Sequence, residues 1–397
     1  MAGKIVVDTI QSDSSYASRI NVTSNVAFTS PVNFTGGMQI GGQDATFGGM
    51  RNRVINGDMR IDQRNSGSSV TLLDGAAAYS FVVDRFACSR ASGATATAQQ
   101  STNAPAGFTN SLLITNGTGI SVGSTAQAYI THFIEGLNIA DLGWGTANAQ
   151  PVTLSFWVRS SITGTHSGAV FNSDWNRSYP FTYTINSANT WEKETITIPG
   201  DTTGTWLTTT GRGIIISFNN GSGSSYLGTA GAWGSAGVYG VTGSVALNSV
   251  TGSTWQITGV QFEKGSAASA FEYRHYGQEL ALCQRYFQNL TFPSSGQIAT
   301  GITWNTTSAT ARLNLLQEMR ATPTITLPTA GQTAGTISFL NNSGYPAATG
   351  THSISTVNSQ GFQVVSTNYT GLAGSGYASW FYVGTGATAS FLASAEL

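Results

Sequence analysis

Carboxylates are scarce in this sequence, and their scarcity limits the chemistry open to it. Only 18 of 397 residues are Asp or Glu. Cutting a glycosidic bond needs two of them about 5–10 Å apart in a groove, one with a raised pKa. The candidates are Glu135, Asp141, Asp174, Glu192, Glu194 and Asp201. Glu192 and Glu194 lie two residues apart on one alternating stretch and so share a strand face. They flank Lys193 in an otherwise ordinary pattern, and a solvated face is the simpler account. His132, His166, His275 and His352 have no Ser or Asp arrangement beside them that would make a nucleophilic triad. Nucleophile-elbow, zinc-protease and phosphate-loop motifs are absent, and the glycine-rich run 221–237 lacks the strand-to-helix context of a phosphate cradle. Cys88 and Cys283 have no His or Cys at metal-ligand spacing and read as small buried side chains. The expectation is a non-enzymatic chain with no catalytic residues, no metal and no cofactor.

The positive signal is aromatic. Saccharide rings stack their C–H faces on flat side chains while amides and hydroxyls bond the ring hydroxyls. Loop-like segments offer both: Trp175, Asn176 and Tyr179, then Trp206, then Tyr226, Trp233 and Tyr239 in the glycine-rich loop 221–240. Aromatic residues on loops suggest contacts. The competing account makes the same rings core or subunit-interface anchors, where Trp and Tyr also concentrate.

The elements carrying these residues follow from composition. Charged residues make up 9% of the chain, against roughly 25% in ordinary soluble domains. Aromatics reach 11% and Gly numbers 48, which describes many short strands joined by tight turns. A net charge of −1 without basic runs argues against nucleic-acid binding. No stretch approaches the roughly 18 apolar residues of a membrane span, and the N-terminus lacks a secretory pattern. The expectation is synthesis and folding in a cytoplasm, with any later destination set by assembly.

Three zones follow along the chain. Residues 1–50 hold short strand-like pieces, too polar to bury a core alone; such pieces become stable when several chains share one axial core. Residues 51–275 contain the strand candidates 152–161, 180–186, 191–199, 212–219 and 253–265, separated by turn residues as in a β-sandwich. A short turn is expected at 133–143. In residues 276–397, Leu280, Cys283, Phe287 and Leu290 are spaced for one helix over 276–290, followed by a smaller β domain.

Four blocks carry a family likeness. NRVINGDMRIDQRNSG (52–67) with SFVVDRFACSR (80–90), VTLSFWVRSS (152–161), WEKETITIPGDTTGTW (191–206) and WQITGVQFEKGSAASAFEYRHYGQELALCQRYFQ (255–288) resemble the carbohydrate-binding-module-like jelly rolls of phage tail-fibre and virion structural proteins. The resemblance covers about 51–290. It implies an all-β jelly-roll sandwich, a virion location and a homotrimer. Residues 1–50 would join other virion proteins, and the loops would contact host-surface polysaccharide. The alternatives are a purely architectural head fibre or decoration protein and, further off, a depolymerase. Asn56-Gly57-Asp58 reads as a turn. Asp58 and Glu263 are expected to pair with Arg53, Arg85 or Arg274, or alternatively to ligate calcium. The sequons at Asn21, Asn116 and Asn220 read as chance products of an Asn- and Thr-rich chain.

Overall fold

In the strand Arg212–Asn219 every residue from Gly213 onward is buried, so the strand must be covered on both faces. It lies at the centre of an antiparallel six-stranded sheet ordered Ser178–Ile185, Gly164–Phe171, Arg212–Asn219, Gln127–Glu135, Phe86–Ala91 and Tyr79–Val83. A second six-stranded antiparallel sheet runs Glu192–Ile198, Val152–Ser160, Thr254–Lys264, Ser111–Asn116, Ala96–Ser101 and Val70–Thr71. Neighbouring strands are mostly distant in sequence, and the two sheets form a jelly-roll sandwich. Its core includes Phe156, Phe218, Phe262 and Trp255, whose indole N–H donates to the Tyr183 hydroxyl at 3.1 Å. Residues of this computed structural model described below are 39–40, 43–44, 50–75, 79–328, 337–340, 351–369, 372, 374–384 and 387–397. Apart from the short strand pair Gln39–Ile40 and Gln43–Asp44, and Met50, the expected attachment segment 1–50 lies outside them.

The Asn-Gly-Asp turn welds the start of the sandwich to its closing strand. Asn56 and Met59 both have φ of 59°, and a Cβ on Gly57 would sit 2.2 Å from the Val260 carbonyl oxygen, so only glycine fits. The Asn56 amide donates to the carbonyls of Ile61 and Asp84 at 2.8 and 2.9 Å, and its oxygen accepts from the Ile61 N–H at 2.9 Å. Asn52 accepts from the Phe262 N–H and donates to the Val260 carbonyl, both at 3.0 Å.

The ion pairs expected of this region are formed with other partners. Asp58 pairs with Arg60, which stands beside it. Glu263 accepts from Gln261 at 2.8 Å and from Ser269 at 2.6 and 2.9 Å. Arg53 reaches Asp141 at 2.8 Å, Arg274 holds Glu272 and Glu279 at 3.1 and 3.2 Å, and Arg85 takes Glu396 from the far end of the chain. The partners of these carboxylates are arginines, amides and hydroxyls. Among the described residues no group of three or more His, Cys, Asp or Glu side chains could hold a metal ion.

The turn expected at 133–143 is a pair of single-turn 3-10 helices, Gly136–Asn138 and Ala140–Leu142. The helix expected over 276–290 stops at Gln284. Phe287 and Leu290 belong to the strand Phe287–Phe292, which pairs with Ala389–Ser394, so a distant partner overrides the local helical spacing. Cys283 and Tyr286 pack with Ile55, Ile61, Phe133 and Leu397 on the outer side of the first sheet. The remaining C-terminal strands form a six-stranded and a three-stranded sheet around Phe339, Phe362, Phe381 and Phe391. Among the described residues no helix is long and apolar enough to cross a membrane.

Candidate ligand-binding face

Strand alternation in the first sheet generates two apolar faces. Ile130, Ile134, Val170, Ile214 and Ile216 point into the sandwich core, while Tyr129, Phe133, Ala169, Phe171 and Ile215 line the opposite face. One end of that outer face is covered by Tyr286, Cys283 and Leu397. At the other end Trp175, Tyr226 and Tyr239 pack onto it.

Trp175 is held in an unusual conformation. Its φ is 57°, a genuine outlier for a bulky side chain. The buried Asn172 determines the turn: its amide oxygen accepts from the N–H groups of Asn176 and Arg177 at 3.2 and 3.1 Å, and its Nδ2 donates to Asn176 Oδ1 at 2.7 Å and to the Thr205 carbonyl at 3.2 Å. Arg177 then locks onto Asp201 through two hydrogen bonds of 2.7 and 2.8 Å. Burial alone would raise the Asp201 pKa, but the bonds from Arg177 and Thr203 outweigh it and hold the carboxyl below its usual range. Gly237 lets the next loop close over this turn, since a Cβ there would lie 2.7 Å from the Trp175 carbonyl oxygen.

The ring so placed is half-buried and packs against Phe171, Tyr239 and Tyr129, with centroids 4.6, 5.4 and 5.9 Å away. Tyr129 and Tyr239 stack at 4.5 Å with planes 11° apart, and Tyr226 meets Tyr239 edge-on at 5.2 Å. The Tyr129 hydroxyl is linked to Tyr79, Tyr239 and Ser89, and burial raises its pKa to about 12. Burial likewise raises the hydroxyls of Tyr79 and Tyr239, so these phenols stay neutral hydrogen-bonding groups at ordinary pH. The Arg212 guanidinium lies 4.4 Å from the Phe133 ring centroid, next to Tyr79. Trp175, Tyr226 and Tyr79 retain partial exposure, and Asp174 and Asn176 flank Trp175 in water. Hydrophobic ring surface bordered by hydroxyls, amides, one carboxylate and the Arg212 guanidinium suits a polyhydroxylated ligand.

The seven residues expected to contact sugar divide into two groups. Trp175, Asn176, Tyr226 and Tyr239 gather at this face, although Tyr239 is itself buried beneath its neighbours. Tyr179, Trp206 and Trp233 turn instead toward Trp144, with Trp206 at 4.6 Å and Trp233 at 5.3 Å from it. Tyr179 and Trp206 are buried. All three indole N–H groups of that cluster donate to backbone carbonyls, those of Gln150, Thr203 and Pro199. The donors of this second cluster are spent on the backbone and the rings of Tyr179 and Trp206 are buried, while Trp233 keeps partial exposure. Tyr79, Tyr129, Phe171 and Arg212 were not anticipated. The signal for them was the strand Gln127–Glu135, QAYITHFIE, apolar on both faces and therefore covered on both.

Glu192 and Glu194 lie on one strand face, but Glu192 is occupied. It accepts from the N–H groups of Asn186 and Ser187 and from the Asn186 amide, at 2.7–3.1 Å, closing the turn before its strand. Partial burial raises its pKa less than those N–H groups lower it. Burial, followed by the charge of Glu192, moves Glu194 upward.

No family model matches this chain, and no curated protein does. Solved structures similar to it include carbohydrate-binding modules and a phage tailspike domain. The enzymatically active domain of bacteriophage CBA120 tailspike protein 4 is 14% identical at a TM-score of 0.27, covering 45% of this chain; this chain covers 19% of that one. A CBM4 structure is 14% identical at a TM-score of 0.27, covering 53% of this chain and 99% of its own. The family 11 carbohydrate-binding module of Clostridium thermocellum, in complex with a β-1,3-1,4-mixed-linked tetrasaccharide, is 11% identical at a TM-score of 0.25, covering 52% and 98%. At these scores the description of the fold rests on the strand pairing itself.

Proposed function

We propose that the chain is a non-catalytic subunit of a phage virion appendage, a homotrimeric tail fibre, whose jelly roll binds a host-surface glycan at the Trp175–Tyr226 face. The observation that carries the reading is Trp175 itself. A bulky residue at positive φ costs of order 1–3 kcal/mol and persists only where surrounding contacts over-determine it. Asn172, the Arg177–Asp201 pair and Gly237 supply those contacts, and together they present a partly exposed indole near Tyr226. Such strain clusters at ligand-binding positions.

Binding rather than cleavage is favoured because Glu192, one of the two paired carboxylates, serves as a turn cap. Assembly into a virion fits the depletion of charge, which leaves little repulsion between neighbouring copies. Residues 1–50 are the proposed attachment to other virion proteins.

The test is a glycan array of bacterial capsular and lipopolysaccharide fragments, probed with the purified chain and with Trp175→Ala. Binding by the wild type that the variant loses is expected. No binding to any surface polysaccharide by either would leave an architectural role. Reducing-end release abolished by Glu194→Gln would replace the binding reading with an enzymatic one.

A further inference from the structure

The C-terminal six-stranded sheet carries apolar side chains on the face turned away from its own core. Its order is Ile337–Leu340, Ala378–Val383, Gln297–Thr303, Ala309–Asn314, Gly361–Thr367 and Thr351–Asn358. Phe339, Phe381, Ala311, Phe362 and Val364 fill the inner side. On the other side Trp380 stands opposite Thr300, and a cross-strand row runs from Ala378 through Ile302 and Thr310 to Val365. Trp380 is 56% exposed, Ile302 48% and Trp304 47%, and Tyr377 beside them is 55% exposed.

We infer that this face, from Trp380 across Ile302 to the edge strand Thr351–Asn358, is where a second copy of the same chain docks. Three observations favour a copy over other occupants. The first is charge. From Phe287 to Leu397 the only charged side chains are Arg312, Glu318, Arg320 and Glu396, and Arg312 alone belongs to this sheet. Strand alternation puts Arg312 on the same side as Thr310, so each face carries this one cation and two copies meet with a single arginine apiece to desolvate.

The second is the edge. Thr351–Asn358, THSISTVN, ends the sheet with no Lys, Glu or Pro to block another strand, and among the described residues nothing pairs with its outer side. A bulge between Ser355 and Asn358, with Thr356 at φ 45°, blunts the end of this edge, and the regular stretch Thr351–Ser355 before it is left to template pairing with another chain. The third is size. Large aromatic side chains each present about 150–250 Å². Four side chains exposed by about half therefore leave roughly 400 Å² to cover, about half of the roughly 800 Å² per partner in a standard interface. The edge strand supplies polar backbone contacts for part of the remainder.

The inference deepens the trimer reading above and rests on it for the existence of an assembly. It is tested by light scattering of the full chain at micromolar concentration, comparing wild type, Ile302→Lys, Trp380→Ser and, as a control, Leu137→Ser, an exposed apolar residue of the sandwich. Unchanged circular dichroism establishes that each variant is folded. The expected result is an assembled wild type and Leu137→Ser, with association weakened at least tenfold in the other two. A monomeric wild type overturns both this face and the trimer. An assembled wild type with equally assembled Ile302→Lys and Trp380→Ser overturns the face and leaves the trimer standing. A saccharide that shields Trp380 of a monomeric chain from quencher also overturns the second copy as occupant.

Discussion

Arg85 and Glu396 lie 311 residues apart in the chain and form an ion pair in which the arginine is fully buried. Arg85 stands at φ 70° in the turn between the strands Tyr79–Val83 and Phe86–Ala91, and its guanidinium lies 3.6 Å from the Tyr286 ring centroid while donating to the Phe133 carbonyl. Arg64 binds the other oxygen of Glu396 at 2.9 Å. Arg320 holds the carbonyls of Ala395 and Glu396, and Arg212 that of Leu397. The last residues of the sequence are thus pinned to the sandwich, next to the strands that carry the aromatic face.

Removing one partner of a buried pair strands a charge, at a cost of about 3–5 kcal/mol. Arg85→Ala and Glu396→Gln are therefore each expected to destabilise the chain by about that amount in urea unfolding. The combined replacement Arg85→Met with Glu396→Leu should cost less than the sum of the two. A change below about 1 kcal/mol in both single variants would mean that the pair is not held as described.

Gly57 faces the Val260 carbonyl with no room for a methyl group. Gly57→Ala is expected to displace the closing strand and cost about 3 kcal/mol or more, beyond ordinary overpacking. Gly231→Ala, where the added carbon meets nothing and only positive φ is penalised, should cost about 1 kcal/mol. Equal melting temperatures for the two variants would contradict the close approach.

Much of the sandwich was legible because its strands are bounded by their own alternation and turn residues. Arg212–Asn219 coincides with the run expected from sequence, and Glu192–Ile198 departs by one residue at each end. What local pattern cannot carry is choice of partner. Phe287 and Leu290 have helical spacing, yet Ala389–Ser394 claims them for a strand. Arg85 sits in a recognisable Asp-Arg-Phe turn, but nothing nearby names Glu396. The aromatic residues divided in the same way: Trp175, Tyr226 and Tyr239 reach one sheet face, while Trp206 and Trp233 meet Trp144, and loop composition looks alike in both cases. Asn116 and Asn220, both in sequons, are buried and bonded to each other at 3.2 and 3.3 Å.

Burial lowers the pKa of His132, His166 and His352, the last to about 4. The unfolded chain takes up a proton at each below about pH 6.5 while the folded ring stays neutral, so stability is lost as pH falls from 6.5 toward the folded values. Asp84 acts oppositely. Burial raises its carboxyl to about 6, which removes stability as pH rises from 3.8 through 6. With three histidines against the raised carboxyls of Asp84, Asp58 and Glu194, thermal unfolding should occur at lower temperature at pH 5 than at pH 7, and His132→Phe should flatten the difference. A melting temperature that is equal or higher at pH 5 would refute this balance.

Asn172 is expected to be the keystone of the Trp175 turn. Asn172→Ala leaves the N–H groups of Asn176 and Arg177 without their acceptor and should cost about 1–3 kcal/mol. It should also weaken glycan binding, because the indole is no longer held in place. Unchanged binding with reduced stability would show that the turn serves packing alone.

The central claim is that the partly exposed Trp175 indole is a sugar platform, and a fluorescence titration tests it most directly. Wild type, Trp175→Ala and the packing-cluster variant Trp233→Phe are titrated with a polysaccharide that binds the wild type. The account predicts that Trp175→Ala lowers affinity at least tenfold with its fold intact, while Trp233→Phe binds as wild type does. Full affinity in Trp175→Ala, or loss only in Trp233→Phe, would contradict it.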